Sequence, residues 1–354
     1  MVKHPAWAAA RSSSGLVPTP FSNLVLKEYC VCLRTPLSVE IMPFPSFKPP
    51  CQTADALRCM ISLLLDVSLF LNPENSIPKL GGRVYSENDL VEKPLCASMR
   101  AILKSVAHRP WPLPAGPWVM AQSWHDLLFA HWPVDLPELR PLLPPQLQID
   151  ILRGRAWLAV VPFRMTGVRL RGTPAIPGLS AFPELNVRTY VTCDGKPGVW
   201  FFSLDAGNFL AVAIARAWFH LPYFRARMSC SERNGGIEYA SHRSHCGAAS
   251  AALRGHYRPV GPIFLPQPGT LEHFLTERYC LYALDSRGRL IRSEIHHPPW
   301  QLQRAEAEFE RNTMAEPLDI ALTAQPLLHF ARSQDVVVWP PQPLPAPKGG
   351  SSAS

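Results

Sequence analysis

Proline sets the terms on which this chain can fold. It supplies 39 of 354 residues, roughly double the usual share of about 5%. Each proline fixes φ and removes a backbone donor, so long helices and central strands are interrupted often. Short strands, tight turns and irregular crossings are what remain. The hydrophobic share of 47% against 18% charged residues supports a folded chain with a sizeable core, and the length allows one large domain or two ordinary ones.

Charge and cysteine narrow the partners. The net charge of +8 is spread evenly: residues 1–110 carry 12 Lys and Arg against 8 Asp and Glu, and the remainder carries 23 against 19. No basic run or arginine–aromatic interleaving marks a nucleic-acid surface, so no nucleic-acid partner is expected. Nine cysteines occur, five of them before residue 100, with Cys30 and Cys32 too close for an ordinary disulfide and no C-x-x-C anywhere. A reduced, cytoplasmic chain is the simpler expectation. The N-terminus shows no charged region followed by an apolar stretch. The greasiest run, "CMISLLLDVSLFL" (59–71), is broken by Asp66 and too short to span a bilayer, so no membrane partner is expected.

The sequence changes character near residue 107. Residues 1–106 carry all six lysines of the first 110 positions and no repeated strand-and-turn grammar. They are expected to be a poorly ordered extension with one short helix over 54–71, a small accessory domain being the alternative. From 107 to 344 the grammar is dense, and residues 345–354 read as a disordered tail. "HWPVDLPELRPLL" contains a helix start, with Asp135 as N-cap and Pro137 in the first turn. "LQIDILRGRAWLAVVPF" and "TYVTCDGKPGVWFFSLDA" read as hairpins around Arg153-Gly154 and Asp194-Gly195. Further turns fall at Asn234-Gly235 and Gly288. "NFLAVAIARAWFHL" (208–221) predicts a helix apolar on nearly all sides and hence buried. "GTLEHFLTERY" (269–279) and "AEAEFERN" predict two more helices, and "DVVVWP" (335–340) a closing strand. Many short strands with a few helices indicate an α+β domain organised by an antiparallel sheet or barrel.

One strand carries the best candidate for chemistry. In "FPELNVRTYV" (182–191), Leu185, Val187, Thr189 and Val191 share one face, while Glu184, Asn186, Arg188 and Tyr190 share the other. The polar row either faces water or lines a cavity. Glu184 and Arg188 stand roughly 13 Å apart along a strand, too far to pair with each other. If the row is interior, it fixes a carboxylate and a guanidinium on rigid sheet, a site for an anion or a carbonyl. Arg216, alone in the apolar helix, needs a carboxylate such as Asp205 or Glu184, or else clamps a substrate anion. His125 is placed to face the same cavity. "SHRSHC" (His242, His245, Cys246) and "EIHHPPW" (His296, His297) lack a recognised zinc spacing, so no metal is expected. No phosphate loop or nucleophile elbow is present, and no cofactor is expected.

The motifs "SWHDLLFAHWPVDLPELRPLLPPQLQID", "FPELNVRTYV", "GVWFFSLDA", "LPYFRARM", "FLTERYCLYA", "EIHHPPW" and "NTMAEPL" resemble, in order from about 115 to 342, the YqjF-like uncharacterised bacterial family, DUF2071. That family is distantly similar to acetoacetate decarboxylase, whose fold is a strongly curved, predominantly antiparallel β-barrel with a few packed helices around a buried polar cavity. The resemblance implies that the polar row faces inward and that the decarboxylase's barrel-lining glutamate falls on Glu184. It brings the decarboxylase's substrate-side arginine near His125 and its Schiff-base lysine onto "HLPYFRA", where Tyr223 and Phe224 stand instead. Imine chemistry needs an amine of lowered pKa. The only lysine between 111 and 344 is Lys196, in the turn Asp-Gly-Lys-Pro-Gly. The expectation is a cavity for a small anionic or carbonyl-bearing molecule, formed by Glu184, Asn186, Arg188, Asp205, Arg216 and Tyr223. If the chain turns a substrate over, Glu184 or His125 would act as acid or base in lyase, isomerase or hydrolytic chemistry. A binding module, a filled structural barrel and a homo-oligomer stay open.

Overall fold

The structure is a computed structural model, and it describes residues 101–345. Of the extension expected over 1–106, residues 1–100 with the helix at 54–71 lie outside the described residues, as do residues 346–354 of the tail expected over 345–354. Residues 101–104 are helical. Ile102 is buried there against Ala121, Val337 and Trp339, so packed chain reaches ahead of the boundary expected at 107.

Sheet dominates the rest. The strands are β1 (Met120–Val134), β2 (Gln148–Ile149), β3 (Ala156–Leu170), β4 (Phe182–Cys193), β5 (Lys196–Ala206), β6 (Tyr223–Arg233), β7 (Gly236–Arg243), β8 (Ala252–Phe264), β9 (Cys280–Leu284), β10 (Leu290–His296), β11 (Leu302–Asn312), β12 (Leu327–Val338) and β13 (Gln342–Pro343). Three short helices interrupt them: α1 (Leu136–Leu139), α2 (Phe209–Phe219) and α3 (Leu271–Thr276). Pairing is antiparallel except where β5 meets β6 and β9 over two or three residues. Gly198 permits the approach to β9, because a Cβ there would lie 2.6 Å from the Cys280 carbonyl oxygen.

The pairings close the sheet on itself twice. β12, β1, β3, β4 and β5 form a common wall. One nine-strand ring returns through β6, β7, β8 and β11. A second, seven-strand ring returns through β9 and β10. Alternation along each wall strand feeds a different core on each face. Leu128, Ala130, Leu158, Val160, Leu185, Val187 and Val191 pack on one face with Tyr239, Leu253 and Tyr257 of β7 and β8. Phe129, Ala159, Val161, Phe163 and Tyr190 pack on the other with Val212 and Phe219 of α2, Leu275 of α3 and Leu281 of β9.

Three local expectations are corrected. "AEAEFERN" is strand β11, not helix: Ala305, Ala307 and Phe309 point to the core while Glu306, Glu308 and Glu310 are exposed. α2 is a helix, but it is not buried all round, since Ala213, Arg216 and Ala217 are exposed and Phe209 is 61% exposed. β2 pairs with β4 rather than with β3, leaving only an isolated Leu152–Arg155 bridge at the expected hairpin. The turns at Asp194-Gly195 and Asn234-Gly235 form as expected, with all four residues at positive φ between 51° and 73°.

Candidate ligand-binding site

The polar row of β4 faces the seven-strand ring. A cavity of about 110 Å³ lies there, lined from all seven of that ring's strands and by Glu184, Asn186, Arg188 and Tyr223. Tyr190 is fully buried on the same face. The apolar alternates, Leu185, Val187 and Val191, pack against strands of the nine-strand ring. Helix α2 covers the polar side instead, contributing Ala215 and Phe219 to the cavity wall.

Glu184 is 3% exposed and accepts a 2.7 Å hydrogen bond from the Tyr223 hydroxyl. Burial pushes its pKa up from 4.5 to about 8, against the pull of hydrogen bonds from Tyr223 and Asn186. The Tyr223 hydroxyl is itself driven well above its usual pKa by burial and by Glu184, so it serves as a donor. Four residues along the same face, Arg188 meets no carboxylate among the described residues. Its guanidinium lies 5.5 Å from the Phe129 ring centroid and 5.7 Å from that of Tyr190, and its buried Nε has no hydrogen-bond partner. A protonated acid and a cation with no carboxylate partner among the described residues, hydrogen-bonded to Tyr190, therefore line one small space.

The remaining expected residues sit elsewhere. Asp205 is fully buried but pairs with Arg243, whose Nε and Nη2 donate to Oδ1 at 3.0 and 2.7 Å. Arg216 is exposed and donates to the Tyr223 carbonyl oxygen at 2.7 Å, so it reaches neither Asp205 nor Glu184. Neither residue lines the cavity. His125 does not line it either. It reaches Thr166 Oγ1 at 2.8 Å. The reason lies next door: Asp126 has φ 54° and breaks the register of β1 with β3. Before this bulge Met120, Gln122 and Trp124 face the cavity, and after it Leu127 and Phe129 do. Lys196 pairs with Glu294 at 2.7 Å and lies outside the lining.

Sequence reading missed Trp124, Thr276, Arg278 and Trp300, which complete the wall, and named His297 only as a metal candidate. Arg278 is tied to Asp150 and donates to the Phe274 carbonyl oxygen at 2.7 Å. His297 stacks on Tyr279, with ring centroids 4.7 Å apart. A second, open groove of about 780 Å³ runs past Phe182, Asn208, Phe209, Arg225 and Arg227. It holds none of these buried titratable groups.

A family model described as an uncharacterized conserved protein, DUF2071, matches residues 121–335. The chain is 50% identical over 230 residues to the uncharacterized protein YqjF of Bacillus subtilis (strain 168), spanning 64% of this chain and 93% of that one. Among solved structures, the enduracididine biosynthesis enzyme MppR complexed with pyruvate aligns with a TM-score of 0.47 at 14% identity, over 67% of this chain and 93% of its own. Acetoacetate decarboxylase from Legionella pneumophila aligns with a TM-score of 0.44 at 13% identity, over 69% and 95%. No helix among the described residues is long and apolar enough to cross a membrane.

Proposed function

The chain belongs to the DUF2071 family, and from that premise we propose that its cavity binds a small organic molecule bearing an anionic or carbonyl group, without imine chemistry. The observation that carries this reading is Arg188. A guanidinium with a buried, unpartnered Nε and no carboxylate opposite it is costly unless an anion completes it. Glu184, in the wall of the same cavity, is neutral near pH 7, so the site presents net positive charge to an incoming carboxylate. Lys196 is committed to Glu294 and stays out of the cavity, which supports the absence of a Schiff base.

A second reading, a lysine-independent lyase, isomerase or hydrolase, rests on Glu184. An acid of pKa about 8, buried and hydrogen-bonded to Tyr223, is poised to give or take a proton near neutrality. Binding is common to both readings and is tested first. Native mass spectrometry of the chain purified from its own host should show a bound small organic acid. A bare chain whose melting temperature ignores two- to five-carbon carboxylates would remove the proposal.

A further inference from the structure

The open groove beside α2 draws its charged lining from Arg225 and Arg227 alone. Both are exposed on β6, two residues apart and hence on one face, about 6.6 Å from each other. Neither meets a carboxylate among the described residues. Exposed arginines elsewhere on the same ring do: Arg233, at the end of β6, pairs with Glu238 at 3.2 Å, and Arg258 of β8 with Glu306 at 2.7 Å. Further cations stand behind the groove. His245 Nδ1 accepts from the Arg225 backbone N–H at 3.2 Å. Burial lowers the His245 pKa, and Arg216, Arg243 and Arg225 lower it further. Of those three, only Arg243 has a carboxylate among the described residues, Asp205 at 2.7 Å.

The rest of the lining narrows what could neutralise this charge. Phe182, Phe209 and Met228 supply apolar surface, and Phe209 is 61% exposed. Asn208 spends its amide on the wall itself, donating to the Leu179 carbonyl oxygen at 3.1 Å and accepting from the Ala211 N–H at 3.2 Å. An occupant therefore meets two guanidinium groups and a phenyl ring. A guanidinium grips phosphate through two parallel hydrogen bonds. Two of them balance a phosphate monoester, which carries about −1.5 to −2 near pH 7, whereas one carboxylate leaves a charge over. An exposed phenyl ring suits a flat ring stacked upon it. The volume of about 780 Å³ lies within the range of small-molecule sites, roughly 300–1,000 Å³.

We propose that this groove binds a phosphate monoester bearing a flat aromatic ring, the chemistry of a nucleoside monophosphate, with the phosphate on Arg225 and Arg227 and the ring on Phe209. The groove shares no lining residue with the cavity, so this site stands independently of the carboxylate reading.

Adenosine monophosphate, ribose 5-phosphate and adenosine separate the phosphate from the ring. Calorimetric titration of the full chain should rank adenosine monophosphate about tenfold or more tighter than either of the others. Arg225→Gln combined with Arg227→Gln should weaken it at least about tenfold while the ligand-free melting temperature stays unchanged, both positions being exposed. Phe209→Ala should bring it within about twofold of ribose 5-phosphate. No saturable binding at millimolar concentration, or equal affinity in the native chain and the double variant, would overturn the proposal. Ribose 5-phosphate binding as tightly as adenosine monophosphate would overturn it too, as would a ranking that survives Phe209→Ala. If the double variant does not fold, the ranking of the three probes in the native chain still decides.

Discussion

Glu184 holds its proton near neutrality because apolar walls surround it and burial pushes its pKa up from 4.5 to about 8. The consequence for stability has a definite sign. Below pH 4.5 folded and unfolded chains both carry the proton, and Glu184 contributes no pH dependence. Between 4.5 and 8 the unfolded chain releases a proton that the folded chain keeps, so stability falls as pH rises. The slope approaches about 1.4 kcal/mol per pH unit inside that window. Burial lowers the His296 and His329 pKa values from 6.5 to about 4, which tilts only the part of that range below about 6.5 the other way. The difference between the native chain and Glu184→Gln therefore isolates Glu184. Melts from pH 5 to 8 should show the native chain losing ground steadily to the variant, and parallel profiles would place Glu184 in an ordinary carboxylate environment. Arg188 has no carboxylate partner among the described residues to strand, so Arg188→Gln should stay within about 1 kcal/mol of the native stability. Leu185→Ala, on the fully buried opposite face of the same strand, should cost about 2–5 kcal/mol.

At the level of elements, turn chemistry was the most legible feature. Asp194-Gly195 and Asn234-Gly235 demand positive φ at adjacent positions, and little but a tight hairpin supplies it. The β4 row was legible as a two-faced strand. Which face was wet was not, because alternation is the same for a solvent face and a cavity wall. β11 was misread because Ala and Glu favour helix intrinsically, while their strict alternation reports a strand with acids outside and small residues inside. His125 was misassigned because the bulge at Asp126 reverses the facing of β1, and nothing local in "SWHDLL" requires a left-handed aspartate. Asp126 is held there by Arg164 and Arg332 at 2.8 and 2.9 Å, partners distant in sequence. Arg216 was expected to need Asp205, Glu184 or a substrate anion because an unpaired buried charge is costly, but α2 leaves it exposed and Arg243, from β7, takes the aspartate. The β4–β5 hairpin also holds Lys196, fixed on Glu294 beside Trp111. Borohydride treatment with acetoacetate or acetone should leave the mass of residues 111–344 unchanged. A stoichiometric reduced adduct on Lys196 would overturn that expectation.

The described residues join two closed rings through one wall, so a single strand, β4, serves a packed core on one face and a cavity on the other. Fold class followed from proline density and turn spacing, whereas the double closure depends on long-range pairings, β10 with β12 and β4 with β5, that no local pattern encodes. Where the packed chain starts is a property of this scale too. Ile102 is 5% exposed, and its carbonyl oxygen lies 3.1 Å from His296 Nε2. A chain beginning at residue 101 should melt cooperatively. One beginning at 107 should be less stable by about 1.5–3 kcal/mol for the lost isoleucine, and equal melts would show that this segment adds nothing. Binding is the central claim, and isothermal titration of two- to five-carbon carboxylates into the native chain and into Arg188→Gln tests it most directly. The predicted result is saturable binding at one site per native chain, lost in an Arg188→Gln variant that still melts cooperatively. Absence of saturable heat in the native chain, or equal affinity in the two, would contradict it.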